Sequence, residues 1–214
     1  MDILFQDRRI VVAVKPSGVL STDEPGGMPA LLRQELHTEC IRTVHRLDAP
    51  VSGLMVFARS AYAAGDLSRQ IREGTFKKHY LAVLRGAPPE REGTLTDLLA
   101  RDKETCLTHV VTTREKGVQE ARLRYRVLDS RAGLALVRIQ LLTGRTHQIR
   151  VQFSSRGLPL VGDRRYGLAD DPVSPIALWS YHLSFCHPES GAPMTFDLRP
   201  VAPFFMHLVV SVLL

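Results

Sequence analysis

Between Ala121 and Asp129 the chain alternates with a period of two. Ala121, Leu123, Tyr125 and Val127 are apolar or aromatic, and Arg122, Arg124 and Arg126 stand between them. A helix would scatter these residues around its axis, whereas a strand sorts them onto two faces, one for a core and one for water. A second, mostly apolar run, "GLALVRIQLL", follows after a short link. Strands linked this closely pair antiparallel, because a parallel crossover needs about a dozen residues or more.

The rest of the chain alternates less regularly between strands and helices. Ile10 to Val14 reads as a strand stopped by the turn "KPSG", and the breaker-rich loop "STDEPGGMP" precedes a short helix from Ala30 to Leu36. "GLMVFARS" reads as a strand. Ser60 then caps a helix that runs to Arg72, with Gly74 past its end. In "FKKHYLAVLRG" the residues Tyr80, Ala82 and Leu84 share one strand face, and Leu81 and Val83 the other. Residues 86–118 are rich in Gly, Pro and charge, and target-specific loops are expected around 88–118. The segment "RTHQIRVQFSSRG" reads as a helix capped near Thr146 and stopped by Gly157. The expectation is one α+β domain over residues 1–214, with a mixed, largely antiparallel β-sheet flanked by helices.

Composition narrows the function classes. Of 214 residues, 44% are hydrophobic and 23% charged, an ordinary globular mix. No apolar run reaches the ~18 residues of a membrane span. The apolar C-terminal run "FFMHLVVSVLL" reads as a packed terminal segment. Three scattered cysteines make neither a disulfide framework nor a zinc site, so reduced thiols in a cytoplasmic protein without a metal are expected. A net charge of +6 favours a polyanionic partner, nucleic acid above all.

Two stretches hold the candidate chemistry. In "HRLDAPVSG" a single acid, Asp48, follows His45 and Arg46 and precedes a proline-containing turn. An Asp here can simply bond the local backbone. Basic neighbours also keep a carboxylate ionised, as nucleophilic or general-base work requires. In "TGRTHQIRVQ" Gly144 permits a sharp turn, and Arg145, His147 and Arg150 follow at the opening of a helix, where free N–H groups suit an anion. The alternative is an amphipathic helix with a solvated basic face. His147, Arg150 and Ser154 share one stripe of it and Ile149 and Phe153 another.

"KPSG", "HRLDAPVSGLMVFARS", "KKHYLAVL", "LTGRTHQIRVQF" and "GLPLVGDRRYG" occur in this order. Together they resemble the RluA-type pseudouridine synthases, which isomerise uridine to pseudouridine in RNA, over about residues 3–200. The resemblance implies that Asp48 is the catalytic aspartate and that Tyr80 stacks on the target base. It also implies that Arg150 pairs with the aspartate, that Ile149 and Leu160 give apolar walls, and that Arg46 helps hold the flipped nucleotide. Relatives often carry a histidine where Trp179 stands, and many carry an N-terminal S4-type RNA-binding domain, which is not expected here.

Such an isomerisation breaks the C1′–N1 bond, turns the base and rejoins it through C5, so no cofactor is expected. The carboxylate can attack the sugar, attack the base or take a proton from C2′. His45, Lys77, Lys78, Arg145, His147, Arg164 and Arg165 are candidate RNA contacts, each with a solvated or structural alternative. A monomer acting on large-subunit ribosomal RNA is expected. Transfer RNA is the alternative substrate, and a catalytically inactive RNA-binding or ribosome-assembly factor the alternative function.

Overall fold

The computed structural model describes residues 1–168, 171 and 175–200. The apolar C-terminal run lies outside the described residues. Two compact units emerge. The first comprises Met1–Lys78 and Trp179–Arg199, and the second is built on His79–Leu178.

In the first unit, β1 (Ile3–Gln6), β2 (Ile10–Lys15) and β4 (Ser52–Ala58) pair antiparallel, and β3 (Arg42–Thr43) adds to β4. Strand β10 (Leu178–Cys186) joins β4 in parallel through Trp179 and Ser180, and β11 (Pro193–Asp197) pairs antiparallel with β10. Ile10, Val12, Leu54, Val56 and Ala58 share a core with Ala63 and Leu67 of α2 (Ala61–Glu73). On the other side of the same strands Val11, Ala13, Met55 and Phe57 are equally buried. That explains why these strands read as continuous apolar runs, where the strand at Ala121 alternates.

Helix α2 has the ends that the sequence signals. The Ser60 hydroxyl accepts from the Ala63 N–H, and Gly74 closes the helix in the left-handed region. Helix α1 (Met28–Leu36) begins two residues before Ala30, with Pro29 in its first turn, where a missing N–H costs nothing.

The second unit is an antiparallel sheet in the order β5 (Lys77–Arg85), β9 (Leu134–Leu141), β8 (Gln119–Arg131), β6 (Glu92–Arg101), β7 (Thr108–Val111). The alternation of β8 holds as far as Val127, where a bulge shifts its register against β9. Around residues 88–118, where loops are expected, the chain forms two strands. Residues 92–99 pair with Gln119–Arg126 of β8, and residues 108–111 pair with 98–101 and form the edge. The signal was weak because β6 buries only Leu95 and Leu99, with Thr96, Asp97 and a half-buried Leu98 between them. The last helix, α3 (Gln148–Ser154), is shorter than expected. It starts after His147, which is left-handed (φ 54°), with no side-chain cap from Thr146. Its Phe153 meets the Tyr125 ring edge-on at 5.8 Å, so α3 covers the apolar face of β8.

Candidate active site

Asp48 is half-buried and opens a tight turn, in which the Val51 N–H donates to the Asp48 carbonyl at 3.0 Å. The backbone on either side of it is clamped. Ser21 Oγ accepts from the Leu47 N–H (3.0 Å) and donates to the Leu47 carbonyl (2.7 Å). From "KPSG", Lys15 Nζ and the Gly18 N–H donate to the Ala49 carbonyl, at 2.9 and 2.8 Å. Ser17 Oγ donates to the Pro50 carbonyl at 2.9 Å. Gly53, where the turn leaves for β4, has φ 120°, and a Cβ there would stand 2.3 Å from the Ser180 carbonyl oxygen. The parallel pairing of β4 with β10 therefore requires glycine at this position.

Two bases near this turn are buried, and burial shifts both. Lys15 is fully buried, which pushes its ammonium down to about 8, although the charge of Asp48 works in the opposite direction. Burial, with the nearby charge of Lys78, pushes His45 down to about 3. The imidazole is then neutral at pH 7, and its Nε2 accepts from the Val56 N–H at 3.1 Å. This leaves the proton on Nδ1. His45 thus faces the interior, against the Phe76 ring at 5.5 Å, while Arg46 beside it is exposed. Lys77 is exposed and donates to the Gly74 carbonyl, and burial lowers the pKa of Lys78.

In the second unit the "TGRTHQIR" stretch is organised by Gln148. Its Oε1 accepts from the Arg145 N–H (3.0 Å) and the Thr143 hydroxyl (2.8 Å), and its Nε2 donates to the Arg122 carbonyl (3.0 Å). Arg145 Nε donates to the Glu120 carbonyl at 2.9 Å. Arg150, almost fully buried, donates from Nε and Nη2 to the two carboxylate oxygens of Asp163, both at 2.8 Å. Burial would raise the Asp163 carboxyl. The Arg150 guanidinium and the N–H groups of Arg165 and Tyr166 outweigh burial and hold it below the usual range.

Tyr166 completes the cluster. Its ring lies under the Arg150 guanidinium at 5.1 Å. Its hydroxyl accepts from the Thr108 N–H (2.8 Å) and meets His147 Nδ1 (2.7 Å), and its carbonyl accepts from Ser154 Oγ. The His147–Arg150–Ser154 stripe therefore converges on one tyrosine. Gln152 and Arg156 tie the same helix to β6 through Asp97.

Tyr80 is 4% exposed and stands opposite Ile139, which stands opposite Tyr125. Directly paired residues share a sheet face, so Tyr80 lies on the face that α3 covers, the one that carries Arg150. Ile149 is buried on α3, and Leu160 is buried in an antiparallel bridge with Leu84. Arg164 and Arg165 are exposed. Trp179 is buried and donates from Nε1 to the Leu198 carbonyl at 3.0 Å, a tie between β10 and the chain after β11. Sequence reasoning missed Lys15, Ser17, Ser21, Gln148, Asp163 and Tyr166. All but Ser21 lie inside motifs quoted for the resemblance. Their partners are what the motif strings do not show.

No helix among the described residues is long and apolar enough to cross a membrane. A family model described as RNA pseudouridylate synthase matches residues 9–155, a span that holds "KPSG", "HRLD", "KKHY" and "HQIR". An uncharacterised RNA pseudouridine synthase of Synechocystis is 32% identical over 98% of this chain and 68% of its own length. Ribosomal large subunit pseudouridine synthase D of Neisseria meningitidis is 32% identical, over 98% of this chain and 60% of its own. The chain thus spans about two thirds or less of the length of these two relatives. The solved structure of human RNA pseudouridylate synthase domain containing 1 matches with a TM-score of 0.79 at 27% identity, covering 97% of this chain and 85% of that one. The chain therefore belongs to the RNA pseudouridylate synthase family, of the RluA type, the isomerases that convert uridine to pseudouridine in RNA.

Proposed function

We propose that this protein isomerises a uridine of large-subunit ribosomal RNA, with Asp48 as the reacting carboxylate. One observation carries the assignment of Asp48. The residues on both sides of it, Leu47, Ala49 and Pro50, are held by hydrogen bonds from Ser21, Lys15, Ser17 and Gly18. A carboxylate on so restrained a turn is presented in one geometry, which is what catalysis by positioning needs. The choice of ribosomal RNA is supported by the Neisseria relative, whose name states that substrate.

In the same reading Tyr80 stacks on the extruded base, returning about 1–3 kcal/mol of the few kcal/mol that flipping costs. Arg150 is the cation that serves Asp48. Its bidentate pair with Asp163 and its seat on Tyr166 keep the guanidinium in one orientation. Arg46, Arg145, Arg164 and Arg165 are the candidate phosphate contacts.

The test is to map pseudouridines in total RNA from cells with and without the protein. Loss of one site in 23S-type RNA is expected. Restoring wild type should return it, whereas Asp48→Asn should return less than about a thousandth of the rate, given the 10²–10⁴ that acid–base work alone supplies. A lost site in transfer RNA overturns the substrate, and substantial product from Asp48→Asn overturns the assignment of the carboxylate. RNA binding with no lost site favours an assembly factor.

A further inference from the structure

Arg124 and Arg126 leave β8 on the face away from Tyr125 and α3. The strand registers set their neighbours. Arg126 stands between Glu92 of β6 and Arg138 of β9, and Arg124 between Thr94 of β6 and Gln140 of β9, which pairs in turn with His79 of β5. Together these residues line an open groove of about 560 Å³.

The charge of this groove is one-sided. Arg124, Arg126 and Arg138 are exposed, and none makes an ion pair among the described residues. Glu92 is the single carboxylate among the lining residues. Several other arginines near the surface are neutralised by a carboxylate. Arg33, Arg69, Arg131 and Arg156 each meet a carboxylate. Arg126 and Arg138, by contrast, face each other directly across the strand pair, an arrangement that works against folding. A solvated face has no use for that arrangement. A surface that meets a polyanion does, because planar guanidinium groups bind phosphate in a fork, and Gln and Thr side chains add hydrogen bonds to phosphate and sugar.

We propose that this outer groove of β5, β9, β8 and β6 docks the phosphate backbone of the RNA substrate, on the sheet face opposite the one that carries Tyr80 and α3. The proposal rests on the reading of the chain as an RNA-modifying enzyme and adds a second place where the RNA is held. Segments flanking the modified uridine reach it, and a fragment too short to span both faces does not.

The test compares two triple variants that lose the same charge. Arg124→Gln/Arg126→Gln/Arg138→Gln empties the groove, and Arg72→Gln/Lys103→Gln/Lys116→Gln removes exposed cations elsewhere. The probe is a fluorescein-labelled, uridine-rich single-stranded RNA of thirty nucleotides, titrated at several salt concentrations. For the groove variant a tenfold or greater loss of affinity is expected, with a slope of log K against log salt shallower by about 2, at roughly 0.7 per phosphate. The control triple should lose less than threefold. Arg138→Gln alone should weaken binding while unfolding no earlier than wild type, which separates docking from misfolding. Equal losses in the two triples, or wild-type binding by the groove variant, overturn the proposal. Pseudouridine mapping stays independent. An inactive wild type whose groove variant still loses RNA sinks the isomerase reading alone, and an active wild type whose groove variant binds normally sinks the groove alone.

Discussion

Around Asp48 the buried bases lean on backbone. Lys15 donates to two carbonyls, and His45 accepts from an amide. Around Arg150 the buried cation meets a buried anion in a two-point fork, with side chains 5% and 0% exposed. The first arrangement fixes a stretch of main chain and leaves bases whose protonation is strained by burial. The second neutralises charge in place and fixes a side chain. The former suits the presentation of a carboxylate on a turn, and the latter suits the fixing of a guanidinium on a helix.

Removing one partner of the fork should show the largest effect. Asp163→Ala leaves Arg150 buried without its anion and is expected to cost about 3–5 kcal/mol in urea unfolding. A loss below about 1 kcal/mol would mean the pair is not buried as described. Lys15→Met tests the other region through pH. The Lys15 ammonium falls from 10.5 to about 8 on folding, so between those values the unfolded chain holds the extra proton and stability rises with pH. Wild type should gain about 3 kcal/mol relative to Lys15→Met across that window. A difference that stays flat with pH would show that Lys15 is not titrating against burial.

Ser21→Ala removes the one hydroxyl that makes two hydrogen bonds to Leu47 and should cost about 1–3 kcal/mol. Its effect on kcat should exceed its effect on KM, since the turn and not the RNA surface is loosened. Tyr166→Phe keeps the ring under Arg150 and removes the hydroxyl, for about 0.5–1.5 kcal/mol. A kcat loss larger than that of Ser21→Ala would reverse the ranking of the two regions.

The strands and α2 were readable because their signals are local. Period-two alternation marked β8, and Ser60 and Gly74 bracketed α2. The edge hairpin β6–β7 was not, since a ten-residue strand that buries two leucines looks like a charged loop until β8 is beside it. The same holds for the site. Asp48, Tyr80 and Arg150 stand in motifs, but Ser21 carries no local mark. Asp163 and Tyr166 sit beside two arginines that draw attention to charge, while the helix they hold lies a dozen residues earlier. His45 reads as a surface base from its neighbours, and only the strand packed on it shows that its ring is internal.

The contact at Gly53 also bears on synthesis. Ser180 donates its hydroxyl to the Leu54 carbonyl, 126 residues away in the chain, and the glycine admits that strand without room to spare. Strand β4 is therefore completed by a strand made more than a hundred residues later in the chain. A nascent chain emerging from the ribosome holds the Asp48 turn long before β10 exists to complete the sheet beside it. Completion of the sheet beside the Asp48 turn should thus wait on the synthesis of β10.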